Sequence, residues 1–455
     1  MAFKAVSPTT GEVIREQLPH SLEEAQEAID LAQDGLRHWS RTPFENRARL
    51  LRTMAGLLEQ RTDRYARLIA QEMGKPISQG VAEVEKCARA CRFYAERGEE
   101  FLASDVEEEG ETRNVVAYRP LGVLLAIMPW NFPFWQVFRF TAPAIMAGNT
   151  VLLKPAPGVP GCAQAVQDLL REAGVPAAVF QTLFVELREV PHLIADPRVR
   201  GVTLTGSTRA GRSVAELAGR NLKKTVLELG GSDPYVVLSD ADLDVAVEAG
   251  VRSRLLNAGQ SCIAAKRFIV VEELREAFQD RLVEKMKEAT VGSPTDPETD
   301  VGPLAREDLR AELHRQVRES VEGGAKLLLG GEIPKGPGWY YPPSVLTEVG
   351  PGIPAYQEEL FGPVAAIIGA ADDPEAIRVA NDNSYGLGAA VFTRDRARGE
   401  RIAVEEIEAG ACFVNDLVRS DPSLPFGGVK DSGYGRELSH FGIREFVNVK
   451  TVSVR

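Results

Sequence analysis

The chain has few cysteines and no excess of positive charge. Its five cysteines are odd in number and scattered over 455 residues, which argues against a disulfide framework. The five histidines do not cluster with them, so no metal site is expected. The formal net charge is −12, so we do not expect a nucleic-acid partner.

Long hydrophobic runs are also missing. No stretch of about 18 apolar residues occurs, so no transmembrane helix and no membrane partner are expected. The N-terminal sequence M-A-F-K-A-V-S-P has no apolar signal core, and we therefore expect a cytoplasmic protein. The length suits two or three domains of about 150 residues each.

Strand and helix signals alternate along most of the chain. A helical region begins at Ser21, where Glu24 completes a capping box, and continues to about Leu102. The continuous apolar run Gly122–Met128 is typical of a buried parallel strand. Strands then alternate with helices, and a second such series begins near Ser232. The pattern predicts an α/β fold with doubly wound parallel sheets.

Two short motifs each follow a predicted strand, where ligands bind in open α/β sheets. In P-W-N-F-P (129–133), Asn131 could donate its amide to a developing oxyanion, although an aromatic turn between two prolines explains the motif equally well. Lys154 ends the strand Thr150–Lys154, where the motif K-P-A begins, and could reach phosphate or ribose oxygens. Taken alone that signal is weak, because lysines are common at strand ends.

Two further motifs combine a strand end with glycine. Thr205–Gly211 (T-G-S-T-R-A-G) offers backbone N–H groups and a helix start to a pyrophosphate, although G-x-G-x-x-G is absent and an ordinary capped loop is the alternative. In Leu227–Gly231 (L-E-L-G-G), Glu228 ends an apolar strand. A partly desolvated carboxylate there suits a general base, and a salt-bridged structural glutamate is the alternative.

The stretch Asn257–Cys262 (N-A-G-Q-S-C) places a thiol in a polar turn before the strand Arg267–Val271. A thiolate is a nucleophile when its pKa is lowered or when a base takes its proton. An isolated cysteine is more often structural. With Glu228 and Asn131 each following a different strand, the nucleophile becomes the favoured interpretation.

Taken together, the motifs resemble the aldehyde dehydrogenase superfamily over nearly the whole chain. The resemblance is carried by P-W-N-F-P, K-P-A, T-G-S-T-x-x-G, L-E-L-G-G, G-Q-S-C, E-E-L-F-G-P (358–363) and P-F-G-G-V-K-x-S-G (425–433), in that order. Within the superfamily the chain is most similar to the short bacterial NAD(P)-dependent succinate-semialdehyde dehydrogenase group. The shared phrases are W-N-F-P-x-W-Q-V, L-E-L-G-G-S-D-P, A-A-K-R-F-I and G-R-E-L-S-H-F-G.

The resemblance implies a catalytic set. Cys262 would attack an aldehyde to give a thiohemiacetal and then a thioester, while Asn131 and the Cys262 N–H stabilise the oxyanion. Glu228 would activate water for deacylation. Two rival functions stay open: a phosphorylating acyl-phosphate reductase, against which L-E-L-G-G argues, and a non-catalytic binding protein on the same fold.

The resemblance also implies NAD or NADP as the cofactor. The implied contacts are Ile127, Trp130, Lys154, Gly206, Ser207, Leu229, Glu359 and Phe361. Many members that prefer NAD carry a glutamate three residues after the lysine, where this chain has Pro157. Because a 2′-phosphate meets less repulsion there, we expect NADP to be used as well as NAD. The segment Phe184–Val190 departs from the usual glycine-rich pattern, which puts local cofactor contacts in doubt.

Succinate semialdehyde is the implied substrate, and other ω-carboxylate or simple aliphatic aldehydes are alternatives. The guanidinium of Arg139 suits a substrate carboxylate, with pairing to an internal carboxylate as the alternative. Phe132 and Gln136 lie at implied tunnel positions beside it. The loop before P-F-G-G adds Arg419 and Ser420, and Phe426 belongs to that motif.

Three parts are implied by the resemblance. A cofactor-binding domain would span 1–108 and 127–231, and a catalytic domain 232–430. A small β oligomerisation element would combine 109–126 with 431–455. Since that element pairs between subunits in relatives, we expect a homodimer or a homotetramer.

Overall fold

The computed structural model describes residues 3–455, apart from the side chain of Glu109. Within them, the strands are β1 (Phe3–Val6), β2 (Val13–Gln17), β3 (Asp105–Glu109), β4 (Thr112–Pro120), β5 (Val123–Ile127), β6 (Thr150–Lys154), β7 (Phe180–Thr182), β8 (Val199–Thr205), β9 (Lys224–Glu228), β10 (Pro234–Val237), β11 (Arg267–Val271), β12 (Lys326–Leu329), β13 (Ser344–Thr347), β14 (Val364–Ala370), β15 (Tyr385–Gly386), β16 (Gly388–Phe392), β17 (Ala411–Val414), β18 (Val429–Lys430), β19 (Gly433–Tyr434) and β20 (Val447–Val454).

The α-helices of the same residues are α1 (Leu22–Trp39), α2 (Phe44–Gln60), α3 (Thr62–Met73), α4 (Ile77–Phe101), α5 (Trp135–Met146), α6 (Pro160–Glu172), α7 (Val190–Ala195), α8 (Thr208–Arg220), α9 (Leu243–Leu255), α10 (Glu272–Lys287), α11 (Glu307–Glu322), α12 (Pro354–Gln357), α13 (Asp373–Asn381), α14 (Arg396–Glu405) and α15 (Ser439–Glu445). Helix α1 begins with the predicted capping box, in which Ser21 and Glu24 satisfy each other's backbone N–H. None of these helices is long and apolar enough to cross a membrane.

The first sheet has the strand order β19-β9-β8-β5-β6-β7, with β9 to β7 parallel and β19 antiparallel. Its central strand β5 is apolar on both faces. Val123 and Leu125 belong to the core formed with α1, α7 and α8, whereas Leu124 and Ala126 belong to the core formed with α2 to α6. Because side chains alternate along a strand, helices cover both faces, as the apolar run predicted.

The second sheet has the order β12-β13-β14-β11-β10-β16-β17, parallel except for β12. Only the five residues 229–233 separate β9 of the first sheet from β10 of the second. This short connection brings the carboxyl end of β9 against the second sheet. The two parallel sheets confirm the predicted α/β architecture.

A third sheet, β20-β4-β3, is antiparallel. Strand β4 is its central strand and forms a hairpin with β3. Strand β20 lies at one edge and leaves Val449, Val452 and Val454 exposed by 60%, 38% and 52%. An exposed apolar edge strand is a surface on which another chain can pair. The oligomeric state stays a prediction.

The division into domains also stays a prediction. Two strands of the first sheet come from segments that were assigned to the oligomerisation element. Strand β5 lies in the middle of the first sheet, although most of it was placed with the oligomerisation element. Strand β19 also joins the first sheet, through Gly433 opposite Glu228. The N-terminal hairpin of β1 and β2 was not predicted.

Candidate active site

A cavity of about 340 Å³ lies beyond the carboxyl ends of β5, β8 and β9. It collects most of the predicted catalytic and cofactor-binding residues in one place. Its walls include Trp130, Asn131, Gln136, Gly206, Ser207, Glu228, Leu229, Cys262, Glu359 and Phe361. The predicted residues are far apart in the chain, and the two parallel sheets bring them together.

A second cavity, of about 90 Å³, contains the predicted substrate-binding residues. Its walls include Lys86, Phe132, Trp135, Gln136, Arg139, Cys262, Arg419, Ser420 and Phe426. Cys262 and Gln136 line both cavities. The thiol therefore lies between the two cavities.

The backbone before Cys262 is strained. Three consecutive residues, Asn257, Ala258 and Gly259, have φ values of 56°, 51° and 74°. Only the glycine adopts that region without a steric cost, and each of the other two costs about 1–3 kcal/mol. Such a turn persists only where neighbouring groups hold it.

Buried cations hold this turn through its carbonyl groups. Lys266 Nζ donates to the carbonyl oxygens of Ser261 at 2.9 Å and Cys262 at 2.7 Å. Arg254 Nη2 donates to the carbonyl oxygen of Gly259 at 2.6 Å. The Lys266 ammonium also lies 3.5 Å from Glu359 Oε1, which ties the cysteine turn to the wall of the larger cavity.

Asn131 is buried and faces the same turn. Its Nδ2 donates to the carbonyl oxygen of Gln260 at 3.1 Å, and its Oδ1 has no hydrogen-bond partner among the described residues. Asn257 Nδ2 in turn donates to the Asn131 carbonyl oxygen at 2.8 Å. Since an amide nitrogen carries two hydrogens, one remains for a ligand in the cavity.

Glu228 is the last residue of β9 and is buried beside the guanidinium of Arg139. Glu228 Oε2 lies 3.3 Å from Arg139 Nη2, and Glu228 Oε1 has no hydrogen-bond partner among residues 3–455. The same Arg139 nitrogen lies 2.6 Å from Glu437 Oε2. Arg139 thus pairs with internal carboxylates, the alternative considered on the sequence, and its role in substrate binding stays a prediction.

Burial and neighbouring charges shift the pKa values of Glu437 and Cys262. Burial raises the pKa of Glu437 to about 7, Glu228 adds to the rise, and Arg139 opposes it. Burial and the Glu228 carboxylate raise the pKa of Cys262 well above its ordinary value, against the pull of Arg139 and Lys266. In this state the Cys262 thiol is therefore protonated at neutral pH.

The wall opposite the thiol has the features of a dinucleotide site. Ser207 caps α8, its Oγ accepting from Ala210 N at 3.3 Å, so the positive end of a helix faces the cavity. Glu359 Oε1 accepts from Gly231 N at 3.1 Å. At Gly230 a Cβ would lie only 2.5 Å from Glu359 Oε2, so a side chain there would displace that carboxylate.

The apolar side chains among the predicted site residues pack in three different places. Trp130 and Phe361 pack edge to face with ring centroids 5.9 Å apart. Leu229 fills the space beside Gly211 at the start of α8, where a Cβ would meet it at 2.5 Å. Phe132 lies in the second cavity, with its ring centroid 3.5 Å from Lys75 Nζ.

Three predicted cofactor residues do not line the larger cavity. Ile127 is half-buried and packs against the core of the first sheet. Lys154 is buried at the end of β6, where its Nζ donates to the Pro155 carbonyl oxygen at 3.0 Å. Burial lowers its pKa to about 8. Pro157 is exposed. Lys154 and Ile127 pair across β5 and β6 and lie at the same sheet edge as the cavity.

Three residues of the site were not predicted from the sequence: Lys86, Lys266 and Glu437. Lys266 and Glu437 lie inside the quoted phrases A-A-K-R-F-I and G-R-E-L-S-H-F-G, which was the available signal. Lys86 lies in the middle of α4, where nothing in the local sequence distinguishes it from a solvated lysine.

The fold and the site together define a class of protein: an α/β protein that places a cysteine, a carboxylate and an amide beside a cavity lined by the capped start of a helix. Comparison with known proteins agrees. The sequence model of the Aldehyde dehydrogenase family matches residues 1–452. The chain therefore belongs to the aldehyde dehydrogenase family, which confirms the resemblance.

Individual relatives cover almost the whole chain. A probable succinate-semialdehyde dehydrogenase, NADP(+), of Synechocystis sp. is 49% identical over 99% of this chain and 99% of its own length. The succinate semialdehyde dehydrogenase, NAD(P)+, Sad of Escherichia coli K12 is 47% identical over 98% and 97%. The crystal structure of succinic semialdehyde dehydrogenase from Streptococcus pyogenes in complex with NADP+ superposes with a TM-score of 0.96, at 38% identity over 99% of both chains.

Replacing Lys266 with methionine is expected to destabilise the protein. The change leaves the Ser261 and Cys262 carbonyl oxygens without their donor, which should cost about 3 kcal/mol. Thermal unfolding followed by circular dichroism measures the loss. Lys287→Met, at an exposed lysine at the end of α10, is the matched control. An unchanged midpoint in Lys266→Met would show that the ammonium does not hold the turn.

The reactivity of Cys262 is expected to depend on Glu228. Since the carboxylate raises the pKa of the thiol, Glu228→Gln should lower that pKa and enlarge the thiolate fraction at pH 7. Alkylation by iodoacetamide, followed by mass spectrometry of the Cys262 peptide, should be several-fold faster in the variant at pH 7. Slower alkylation across the whole pH range would instead identify Glu228 as the base that takes the thiol proton.

Proposed function

We propose that this protein oxidises succinate semialdehyde to succinate with NADP or NAD. The observation that carries the proposal is the position of Cys262 on the boundary of two cavities, with Glu228 and Asn131 lining the larger cavity beside it. The substrate and the cofactor come from the names of relatives that are 47–49% identical over 98–99% of the chain.

The larger cavity fits a nicotinamide dinucleotide. The capped start of α8 at Ser207 suits the pyrophosphate, and the Glu359 carboxylate suits ribose hydroxyls. Lys154, whose buried ammonium has only a backbone carbonyl as hydrogen-bond partner among the described residues, suits the adenosine ribose and its 2′-phosphate. The bound cofactor supplies a hydride acceptor.

The chain's own residues perform the remaining steps. After the Cys262 thiol has given its proton to water, the thiolate attacks the aldehyde carbon, a C–S bond forms, and the carbonyl oxygen becomes an oxyanion. Asn131 Nδ2 and the Cys262 N–H donate to that oxyanion, which exists only after the attack. Once the thiohemiacetal carbon has given up its hydride, Cys262 carries a thioester.

Water then releases the product. Glu228 Oε1, which has no hydrogen-bond partner within the described chain, takes a proton from water as the water oxygen attacks the thioester. The C–S bond breaks, the acid leaves and the thiolate returns. Arg139 holds the other oxygen of Glu228 at 3.3 Å, so the carboxylate keeps one orientation through the cycle.

The proposed chemistry predicts two different defects. Mixing enzyme, NADP and succinate semialdehyde while following reduced-nicotinamide absorbance should show turnover in the unmodified protein and none in Cys262→Ala. Glu228→Gln should still give a burst approaching one equivalent per site, followed by turnover about 10²–10⁴-fold slower. A rate that requires inorganic phosphate would contradict water deacylation and support the acyl-phosphate rival. Full turnover by Cys262→Ala would remove the covalent route.

Cofactor choice should respond to Pro157. It is exposed, three residues after Lys154, so a glutamate there would place a carboxylate near an NADP 2′-phosphate. We expect Pro157→Glu to lower kcat/KM for NADP about 10- to 100-fold while NAD is little affected. Pro157→Gln controls for loss of the proline ring. A strong NAD preference in the unmodified protein would contradict the premise.

A further inference from the structure

Three cationic side chains line the smaller cavity: Lys86, Arg139 and Arg419. Each could meet an anionic group of a substrate whose aldehyde carbon lies at Cys262. The three differ in how far their charge is already compensated by the protein, and that difference identifies which one is available to a ligand.

Arg139 and Arg419 already have carboxylate partners. Arg139 is buried between Glu228 and Glu437, at 3.3 and 2.6 Å. Arg419 pairs with Asp416 and is 55% exposed. A substrate carboxylate at Arg139 would have to compete with two internal carboxylates, and one at Arg419 would gain only a screened surface charge.

Lys86 is different. It projects from α4, and its Nζ donates to Ser420 Oγ at 2.7 Å. The ammonium lies 4.3 Å from the centroid of the Trp135 ring. Among the residues that the structure describes, no carboxylate lies within ion-pair distance of Lys86. A partly buried ammonium with only a hydroxyl and a ring beside it lacks a counter-charge.

The charges around Lys86 favour an anion. Arg139 on α5 and Arg89 on its own helix repel the ammonium, while Asp421 on the facing loop and the Cys87 thiol act in the opposite direction. Burial is the largest effect, and together they lower the pKa of Lys86 to about 7. A negative group entering the cavity would stabilise the charged form.

We infer that Lys86, assisted by Ser420, binds the carboxylate of the substrate and so selects short ω-carboxylate aldehydes. This inference rests on the proposed function, because it assumes that the aldehyde end lies at Cys262. The cavity that both residues line measures about 90 Å³, which restricts the chain between the two ends to a few carbons. Arg139 keeps its two carboxylates and acts on Glu228.

A pH dependence follows from this assignment. A bound carboxylate raises the pKa of Lys86, so binding takes place to the protonated form. As pH rises above about 7, the free enzyme loses that proton and its preference for the carboxylate-bearing aldehyde declines. Taking the ratio of kcat/KM for succinate semialdehyde to that for propanal cancels the ionisation of Cys262 and Glu228, since both aldehydes need them.

The test measures this ratio in four proteins. In Lys86→Met the ratio should fall about 10- to 100-fold, the effect of one charge-assisted hydrogen bond. Lys86→Arg should retain most of the ratio and abolish its decline above pH 7, because a guanidinium stays charged. Arg92→Gln removes one positive charge from the same helix outside the cavity, where Arg92 pairs with Glu59, and should leave the ratio unchanged.

An equal ratio in Lys86→Met and the unmodified protein would overturn the inference and leave the proposed function standing. If neither aldehyde is oxidised, the proposed function fails, and calorimetric titration with succinate decides about Lys86 separately. Succinate should bind the unmodified protein and bind Lys86→Met at least about tenfold more weakly; equal binding overturns the inference. The thermal midpoint of Lys86→Met should not fall, which distinguishes lost recognition from lost folding.

Discussion

The buried ammonium of Lys266 is the group on which the geometry of the site depends. It donates hydrogen bonds to the Ser261 and Cys262 carbonyl oxygens of a turn that has two non-glycine residues in the left-handed region, and it lies 3.5 Å from Glu359 on the wall of the larger cavity. One cation thus fixes the nucleophile and the proposed ribose-binding carboxylate relative to each other. The Lys266 ammonium is buried, so water does not compete for the hydrogen bonds by which it holds the strained turn.

A second charge group stands behind the proposed base. Arg139 carries one positive charge between Glu228 and Glu437, so the three groups together are net negative when all are ionised. Burial makes the excess negative charge unfavourable, so the pKa of Glu437 is raised. Burial and the Glu228 carboxylate also raise the pKa of the Cys262 thiol, and Arg139 opposes that rise. The guanidinium thus lowers the proton affinity of both groups, and in our proposal the ammonium of Lys86 recognises the substrate.

Sequence alone predicted the parts of the site that follow strands. Glu228 and Ser207 lie at or just after the ends of parallel strands, and parallel sheets collect such segments at one edge. Cys262 instead precedes β11, and its signal was a thiol in a polar turn. Side chains that reach the site from helices were not predictable in that way. Helical periodicity predicts on which face of α4 Lys86 lies. It does not predict that Ser420, 334 residues away, accepts a hydrogen bond from it. Glu437 likewise meets Arg139 only through long-range packing.

Because Cys262 lies between two cavities, the proposed cofactor and substrate can each reach it by a separate route. In the proposed function a dinucleotide would occupy the larger cavity beside the first sheet, and an aldehyde would enter the smaller cavity from the side of α4 and α5. Neither ligand would then have to pass through the space of the other to reach or leave the sulfur. The free acid can thus depart while the cofactor is still bound, and a molecule that blocks the smaller cavity would compete with the aldehyde alone.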